Sequence, residues 1–374
     1  MVFAWIGFVL LVLIFLALDL GVFHRKAHVV KVKEALVWSG IWITIALLFT
    51  VFIYFGYENH WLDLGKSPDG IAVLDAMSVS SSNPRGELDG ASASIKYLTG
   101  YVIEKSLSVD NIFVIAMIFG FLAVPAIYQH RVLFWGILGA LLMRGVMIWL
   151  GAGLIHRYHW VIYIFGGFLI LTGIKMLLMK EHEKDPSNNI IVRATKKLFP
   201  VTSNFHGQHF FVRAGSRQSH EASVPGQPEK NDAAVEALKA GTLMITPLFV
   251  ALVLIEFTDL IFAVDSIPAI FAITTDPFLV FTSNVFAILG LRSLYFALAG
   301  MMDKFRYLKP ALACVLLLVG VKMLAHQPLR SLLGEHFNLY MLGAVLLILA
   351  IGVVASLASK REPARAEEPA PVGP

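Results

Sequence analysis

The sequence predicts an all-α, polytopic membrane protein with about nine transmembrane helices. Hydrophobic residues make up 57% and charged residues 15% of its 374 residues, and the mean hydropathy is +0.73. Soluble domains carry charge on about a quarter of their residues. The apolar residues also fall in blocks of about 20, the length of helix that crosses a bilayer. These observations exclude an ordinary soluble fold, and the single cysteine, Cys314, excludes a disulfide framework.

The nine apolar blocks group into an N-terminal pair (1–57), two sets of three (94–179 and 243–325) and a final helix. The predicted spans are residues 2–23, 35–57, 94–122, 132–154, 160–179, 243–273, 278–300, 310–325 and 339–357.

Three polar segments lie outside these spans. Residues 58–93 hold a serine-rich stretch and the turn sequence NPRG at 83–86, and form the predicted external loop. Residues 180–239 form the predicted cytoplasmic insert, and its middle, 215–232, has a composition typical of disorder. The tail, 358–374, is rich in Pro, Ala and Glu and is also predicted to be disordered.

Basic residues set the predicted orientation. The turn 24–33, the insert, the turn before the eighth span and the start of the tail are basic, and such segments stay in the cytoplasm. With nine spans, all four agree with an N-terminus outside and a C-terminus in the cytoplasm. The net charge of +4 comes from residues that flank spans, so it does not indicate binding of nucleic acid.

The two sets of three spans resemble each other. Residues 109–112 (VDNI) match 264–267 (VDSI), and residues 173–177 (GIKML) match 320–324 (GVKML) in the same order. Because each unit has an odd number of spans, the second unit enters the membrane from the opposite face. The sequence therefore predicts two inverted three-helix repeats, the architecture of many secondary transporters, whose site lies near the midplane.

Six acidic residues lie inside the apolar spans. An ionised carboxylate in the bilayer costs about 3 kcal/mol on insertion scales, so a group of them indicates a function, most often a cation path. In the register of the repeat, Glu104 corresponds to Asp259 and Asp110 to Asp265. The six residues are Asp19, Glu104, Asp110, Glu256, Asp259 and Asp265.

Helix geometry restricts which of these acids can point towards one site. Residues six apart lie about 120° from each other around a regular helix, so Glu104 and Asp110 cannot face one site from an unbroken helix. We therefore expect both motif helices to be kinked or unwound, with Pro268 breaking span six. Unwinding would also free carbonyl oxygens as ligands.

The predicted ligands are hard oxygen donors: the carboxylates, the Asn111 amide, the Ser266 hydroxyl and freed carbonyls. Such a set suits Mn²⁺, Mg²⁺ or Ca²⁺ better than Zn²⁺ or Cu⁺. Several carboxylates favour a divalent ion over Na⁺. Some carboxyl groups could instead carry protons and exchange H⁺ for metal.

Two simpler interpretations compete with a metal site. The acids could pair with Arg144, Arg292 or Lys105, but two interior arginines are too few for six acids. Asp19 could simply pair near the interface.

The insert's histidines could capture metal at the cytoplasmic mouth, although solvated histidines are the favoured interpretation. They are His182, His206, His209 and His220. The sequence has no phosphate loop or nucleophile elbow, so it does not predict an enzyme.

The motifs at 104–111 (EKSLSVDN) and at 256–269, where Glu256, Asp259 and the run VDSIPA recur, resemble those of the TerC family within the LysE-type transporter superfamily. The resemblance covers roughly residues 1–358. It implies an Alx-like Mn²⁺ exporter of the bacterial inner membrane in which the six acids act, with Asn111 and Ser266 beside them. The alternative is a membrane-assembly or stress-response protein, related to tellurite resistance, that binds partners through 180–239. Deleting 215–232 separates the two, because transport would survive and docking would not.

Overall fold

The computed structural model of the chain describes residues 2–18, 30–65, 88–158, 160–178, 199–216, 239–298, 307–325 and 337–358, together with 195, 235, 328 and 329. Ten α-helices, one short 3₁₀ helix (Trp61–Asp63) and one two-stranded sheet make up the elements of these residues. The helices are α1 (Val2–Leu18), α2 (Val32–Glu58), α3 (Gly90–Phe121), α4 (Ala126–Arg157), α5 (Val161–Leu178), α6 (Pro247–Phe271), α7 (Pro277–Leu289), α8 (Leu291–Leu298), α9 (Leu308–Leu324) and α10 (Phe337–Ala358).

The helices fit a polytopic membrane protein. Five stretches are long and apolar enough to cross a bilayer: α2, α6, α10, most of α4 (Ala126–Ile155), and α7 with α8 as one unit (Pro277–Leu298). Shorter apolar helices lie in α1, α5 and α9. The 32-residue α3 is long enough as well, but it carries four charged residues. The all-α membrane class is confirmed, and the count of nine spans stays a prediction.

Acidic caps fix the starts of two of these helices. Asp89 accepts a hydrogen bond from the backbone N–H of Ser92 at 2.7 Å and begins α3. Asp276 accepts one from the N–H of Phe278 at 2.8 Å and begins α7. An acidic N-cap satisfies backbone donors that the first turn leaves unpaired. Asp276 also accepts a hydrogen bond at 2.9 Å from the hydroxyl of Tyr57, which ties α2 to the start of α7.

The two motif helices are continuous, so the expectation of an unwound stretch is wrong. Helix α3 runs through Glu104 and Asp110, and α6 runs through its motif to Phe271 with Pro268 inside its last turn. The hydroxyls of Ser106 and Thr258 donate to carbonyls four residues earlier, at 2.6 and 2.7 Å. These carbonyls belong to intact helical turns, so the hydroxyls do not compensate for freed backbone groups. The break lies instead at Gly290, between α7 and α8.

The helices of each predicted repeat unit pack mainly against helices of the other unit. Helix α3 packs against α7, α4 packs against α6, and α5 packs along α9. In terms of the predicted repeat, the first helix of each unit therefore contacts the second helix of the other, and the third helices contact each other. A two-fold relation between the units would produce this arrangement, and the repeat itself stays a prediction.

Part of the predicted cytoplasmic insert is folded. Strand β1 (Phe211–Arg213) pairs antiparallel with β2 (Leu243–Ile245), which directly precedes α6. Side chains from 201–210 pack on the apolar cluster formed by the facing ends of α3, α4 and α6. His206 is 1% exposed, so the prediction of a solvated histidine is wrong there. His182 and His220, most of 215–232 and the tail after 358 lie outside the described residues.

Candidate cation site

A buried arginine stands at the centre of the predicted site. Arg144 of α4 is 2% exposed. Its Nε and Nη2 donate to the two carboxylate oxygens of Asp259 on α6, at 3.3 and 3.0 Å. Its Nη1 contacts Glu104 Oε1 on α3 and donates to Asn284 Oδ1 on α7 at 2.8 Å. One guanidinium therefore joins four helices, and its planar fork suits the carboxylate of Asp259.

Seven-residue spacing brings the polar groups of α3 and α6 to this centre. Two turns of helix return almost to the starting direction after seven residues. Glu104 and Asn111 therefore share one face of α3, and Asp259 and Ser266 share one face of α6. Asn111 Nδ2 donates to Asp259 Oδ1 at 3.3 Å, and Arg144 Nη1 reaches Ser266 Oγ at 3.5 Å. Regular helices thus supply the convergence for which the sequence analysis invoked a break.

Two buried oxygen atoms at this centre are not satisfied. Glu104 Oε2 and Asn111 Oδ1 have no hydrogen-bond partner among the residues that the structure describes. Glu104 is 0% and Asn111 4% exposed. A buried acceptor without a partner costs about 1–3 kcal/mol, and more when it is charged. A hydrogen-bond donor or a cation beside these oxygens would remove that cost.

A cavity adjoins these oxygens. It lies between α3, α5 and α6, and its volume, about 50 Å³ as traced by the centre of a water molecule, exceeds the roughly 10–15 Å³ that one water needs. Its polar lining comes from both predicted repeat units. The lining includes Glu104, Asn111, Arg144, Thr172, Asp265 and Ser266, with Leu107, Met176, Phe262 and Leu316 as its apolar part.

A second, more apolar cavity of about 30 Å³ lies towards α4 and α8. Asp259, Thr258 and the buried Arg292 supply polar groups to it. Asn111 and Phe262 line both cavities. These two side chains therefore border both cavities.

The remaining predicted acids are spread around this centre. Asp265 is half-buried and accepts a hydrogen bond at 3.3 Å from Thr172 on α5. It lies six residues from Asp259, so it faces a different side of α6. Glu256 is half-buried, its carboxylate lies against Gly139 of α4, and it lines neither of these cavities.

Two predicted site residues cannot be placed. Asp19 lies outside the described residues, and the structure describes only the backbone of Asp110. Within the described part of the chain, no three His, Cys, Asp or Glu side chains are grouped closely enough to hold a metal ion. The structure therefore brings together Glu104, Asn111, Asp259 and Ser266 around Arg144. It leaves Asp265 across a cavity and Glu256 apart.

Three polar residues at this site were not predicted as site residues. Arg144 was considered as a structural partner of the acids, and its position in the middle of a span was the available signal. Asn284 and Thr172 are polar residues within predicted spans, but nothing in their local sequence connects them to the acidic motifs. Their roles follow from contacts between distant helices.

Comparison with known proteins shows what this chain resembles. A family model described as "Integral membrane protein TerC family" matches residues 89–364. The chain is 47% identical over 319 residues to the uncharacterized membrane protein STKORF319 of Myxococcus xanthus, covering 85% of this chain and 82% of that protein. It is 41% identical over 340 residues to the "Putative membrane-bound redox modulator Alx" of Escherichia coli (strain K12), covering 90% and 91%. An uncharacterized membrane protein of Rickettsia bellii is 36% identical over 357 residues, covering 96% and 98%. No solved structure matches.

Proposed function

This chain belongs to the TerC family of integral membrane proteins, and from that premise we propose that it is a secondary transporter of a divalent metal cation. Mn²⁺ is the proposed substrate, with Ca²⁺ and Mg²⁺ as alternatives. It is exported across the bacterial inner membrane, with the N-terminus of the chain outside and the C-terminus in the cytoplasm. The metal is cargo, so the proposal requires no enzymatic activity.

One observation carries the proposal: a cavity between α3, α5 and α6 whose wall holds unsatisfied, buried oxygen atoms. Glu104 Oε2 and Asn111 Oδ1 belong to lining residues and have no partner in the described part of the chain. Asp265 lies on the same cavity. Carboxylate and amide oxygens are the ligands that hard divalent cations prefer. A cation entering the cavity would satisfy atoms that the protein leaves without a partner.

The charges at this centre also favour a cation. Glu104 and Asp265 line the cavity, Asp259 lies next to it, and all three are negative when ionised. Their positive neighbours are Arg144, which pairs with Glu104 and Asp259, and Lys175, which acts on Asp265. These charges leave a net negative charge, which is costly inside a membrane. A metal cation offsets it, and protons bound to the carboxyl groups can offset it after the metal leaves.

The test is Mn²⁺ transport by the purified full chain in proteoliposomes, combined with metal-dependent thermal stabilisation across Mn²⁺, Mg²⁺ and Ca²⁺. Asp265→Asn keeps the size of the side chain and removes its charge, so we expect it to abolish transport and to weaken metal affinity by about tenfold or more. Asp89→Asn is the matched control, because asparagine also serves as an N-cap. Wild-type transport by Asp265→Asn, or no metal-dependent transport by the unmodified chain, would contradict the proposal.

A further inference from the structure

We propose that Arg144 is a tethered counter-ion: it occupies the carboxylates of Glu104 and Asp259 when no metal is bound, and an arriving metal ion must displace it. This inference rests on the proposed transport function and concerns how the same site is filled and emptied. It gives the arginine a direct role in the transport cycle, as a competitor of the substrate.

The contacts of Arg144 are those expected of such a competitor. Its guanidinium contacts a carboxylate on α3 and both oxygens of a carboxylate on α6. A metal ion that enters at the free Glu104 Oε2 completes its ligand set, in this proposal, with the carboxylate oxygens that Arg144 now holds. Two cations cannot share them, because they would repel each other in a buried place of low dielectric constant. Arg144 therefore supplies these carboxylates with a positive charge from within the protein.

Two neutral hydrogen-bond acceptors also lie beside the guanidinium of Arg144. Asn284 Oδ1 accepts from Nη1 at 2.8 Å, and Ser266 Oγ lies 3.5 Å from the same nitrogen. Both residues are buried. When a metal takes the carboxylates, the arginine can keep hydrogen bonds to Asn284 and Ser266 while it moves away. A buried arginine that lost its carboxylates without such acceptors would be far more costly to displace.

Competition of this kind has two opposite consequences. The arginine weakens metal binding, because the metal must displace a bound cation. It also speeds metal release, because the returning guanidinium replaces the departing ion. Removing its charge should therefore raise metal affinity and lower turnover. A merely structural role would lower both, since a damaged site neither binds nor transports well.

The experiment compares the unmodified chain with Arg144→Gln, Arg144→Lys and Arg131→Gln, each as the full protein in lipid nanodiscs for MnCl₂ titration and in proteoliposomes for turnover. Arg131, on the same helix but away from the acids, donates to Gln208 at 3.3 Å and is the matched control. We expect Arg144→Gln to bind Mn²⁺ at least about tenfold more tightly, a typical size for coupling between two binding events, and to turn over more slowly. Arg131→Gln should bind like the unmodified chain.

Arg144→Lys keeps the result interpretable if Arg144→Gln does not fold. Lysine retains the charge but presents a point charge in place of a fork, so we expect its Mn²⁺ affinity to lie between those of the unmodified chain and Arg144→Gln. Folded variants at position 144 that bind Mn²⁺ no more tightly than the unmodified chain would overturn this inference alone. An unmodified chain that neither binds nor transports Mn²⁺ would overturn the proposed function, and this inference with it.

Discussion

Gly173 of α5 and Gly320 of α9 occupy equivalent positions across the contact between these two helices. If either glycine carried a Cβ, the atoms nearest to it would belong to the other helix. Those atoms come from the residues that lie three and seven positions before the glycine of that other helix. These neighbours are Leu317 and Ala313 for Gly173, and Ile170 and Gly166 for Gly320. Such reciprocity is what a local two-fold axis produces. Both glycines come from the matched segments GIKML and GVKML, so the packing agrees with the predicted repeat.

We predict that alanine at either glycine destabilises the protein. A Cβ on Gly173 would lie 2.8 Å from a carbon of Leu317 and 3.0 Å from the carbonyl oxygen of Ala313, and Gly320 has the same pair of distances to its own neighbours. A backbone oxygen cannot rotate away, and membrane helices that pack this closely need small residues. The expected loss is about 1–3 kcal/mol in the free energy of unfolding.

Thermal unfolding in detergent measures this loss. Gly167→Ala, on the same helix, is the control, because nothing lies within 4 Å of its Cβ position. A Gly173→Ala protein as stable as Gly167→Ala would show that α5 and α9 do not hold this close contact.

A second prediction concerns Tyr57 and Asp276. Both side chains are buried, at 0% and 1% exposure, and the tyrosine hydroxyl donates to the carboxylate that caps α7. Tyr57→Phe removes that donor without changing the ring, so we expect a loss of about 1–3 kcal/mol because a buried charged acceptor loses a hydrogen bond. Thermal unfolding checks it against Tyr163→Phe, whose side chain is 61% exposed. Equal melting temperatures for the two variants would argue against the link between α2 and α7.

The fold class could be predicted from sequence because membrane helices are specified by composition and block length alone. The same local information placed Glu104 and Asp259 in corresponding positions. The expectation that these helices are unwound was wrong because it was based on acids that lie six residues apart along the helix. The pairs that converge are an acid and a polar neutral residue seven apart, such as Glu104 with Asn111, and such a pair has no charge pattern that makes it stand out.

The partners of the acids could not be predicted for a different reason. Arg144 meets Glu104 and Asp259 because α4 packs against α6 beside α3, and no spacing along the chain encodes that contact. The argument that two arginines cannot serve six acids overlooked the fork of the guanidinium, which reaches two carboxylates at once. The β1–β2 pair was missed because strands of three residues, about 30 positions apart, leave no periodic signal.

The final prediction tests whether Glu256 belongs to the transport site. Gly139 makes room for this carboxylate, since a Cβ at Gly139 would overlap the carboxylate itself. The far end of a glutamate side chain can move, so Gly139→Ala should fold nearly normally while displacing the carboxylate. Glu256 Oε2 has no hydrogen-bond partner within the described residues, so few contacts oppose that displacement.

If Glu256 binds the metal during transport, Gly139→Ala lowers the Mn²⁺ transport rate in proteoliposomes about as much as Glu256→Gln does, because both remove the carboxylate from its place. Gly153→Ala on the same helix is the control, since its Cβ position has no neighbour within 4 Å. Transport at the control rate by both Gly139→Ala and Glu256→Gln would remove Glu256 from the site. Loss in Glu256→Gln alone would mean that the carboxylate acts from more than one position.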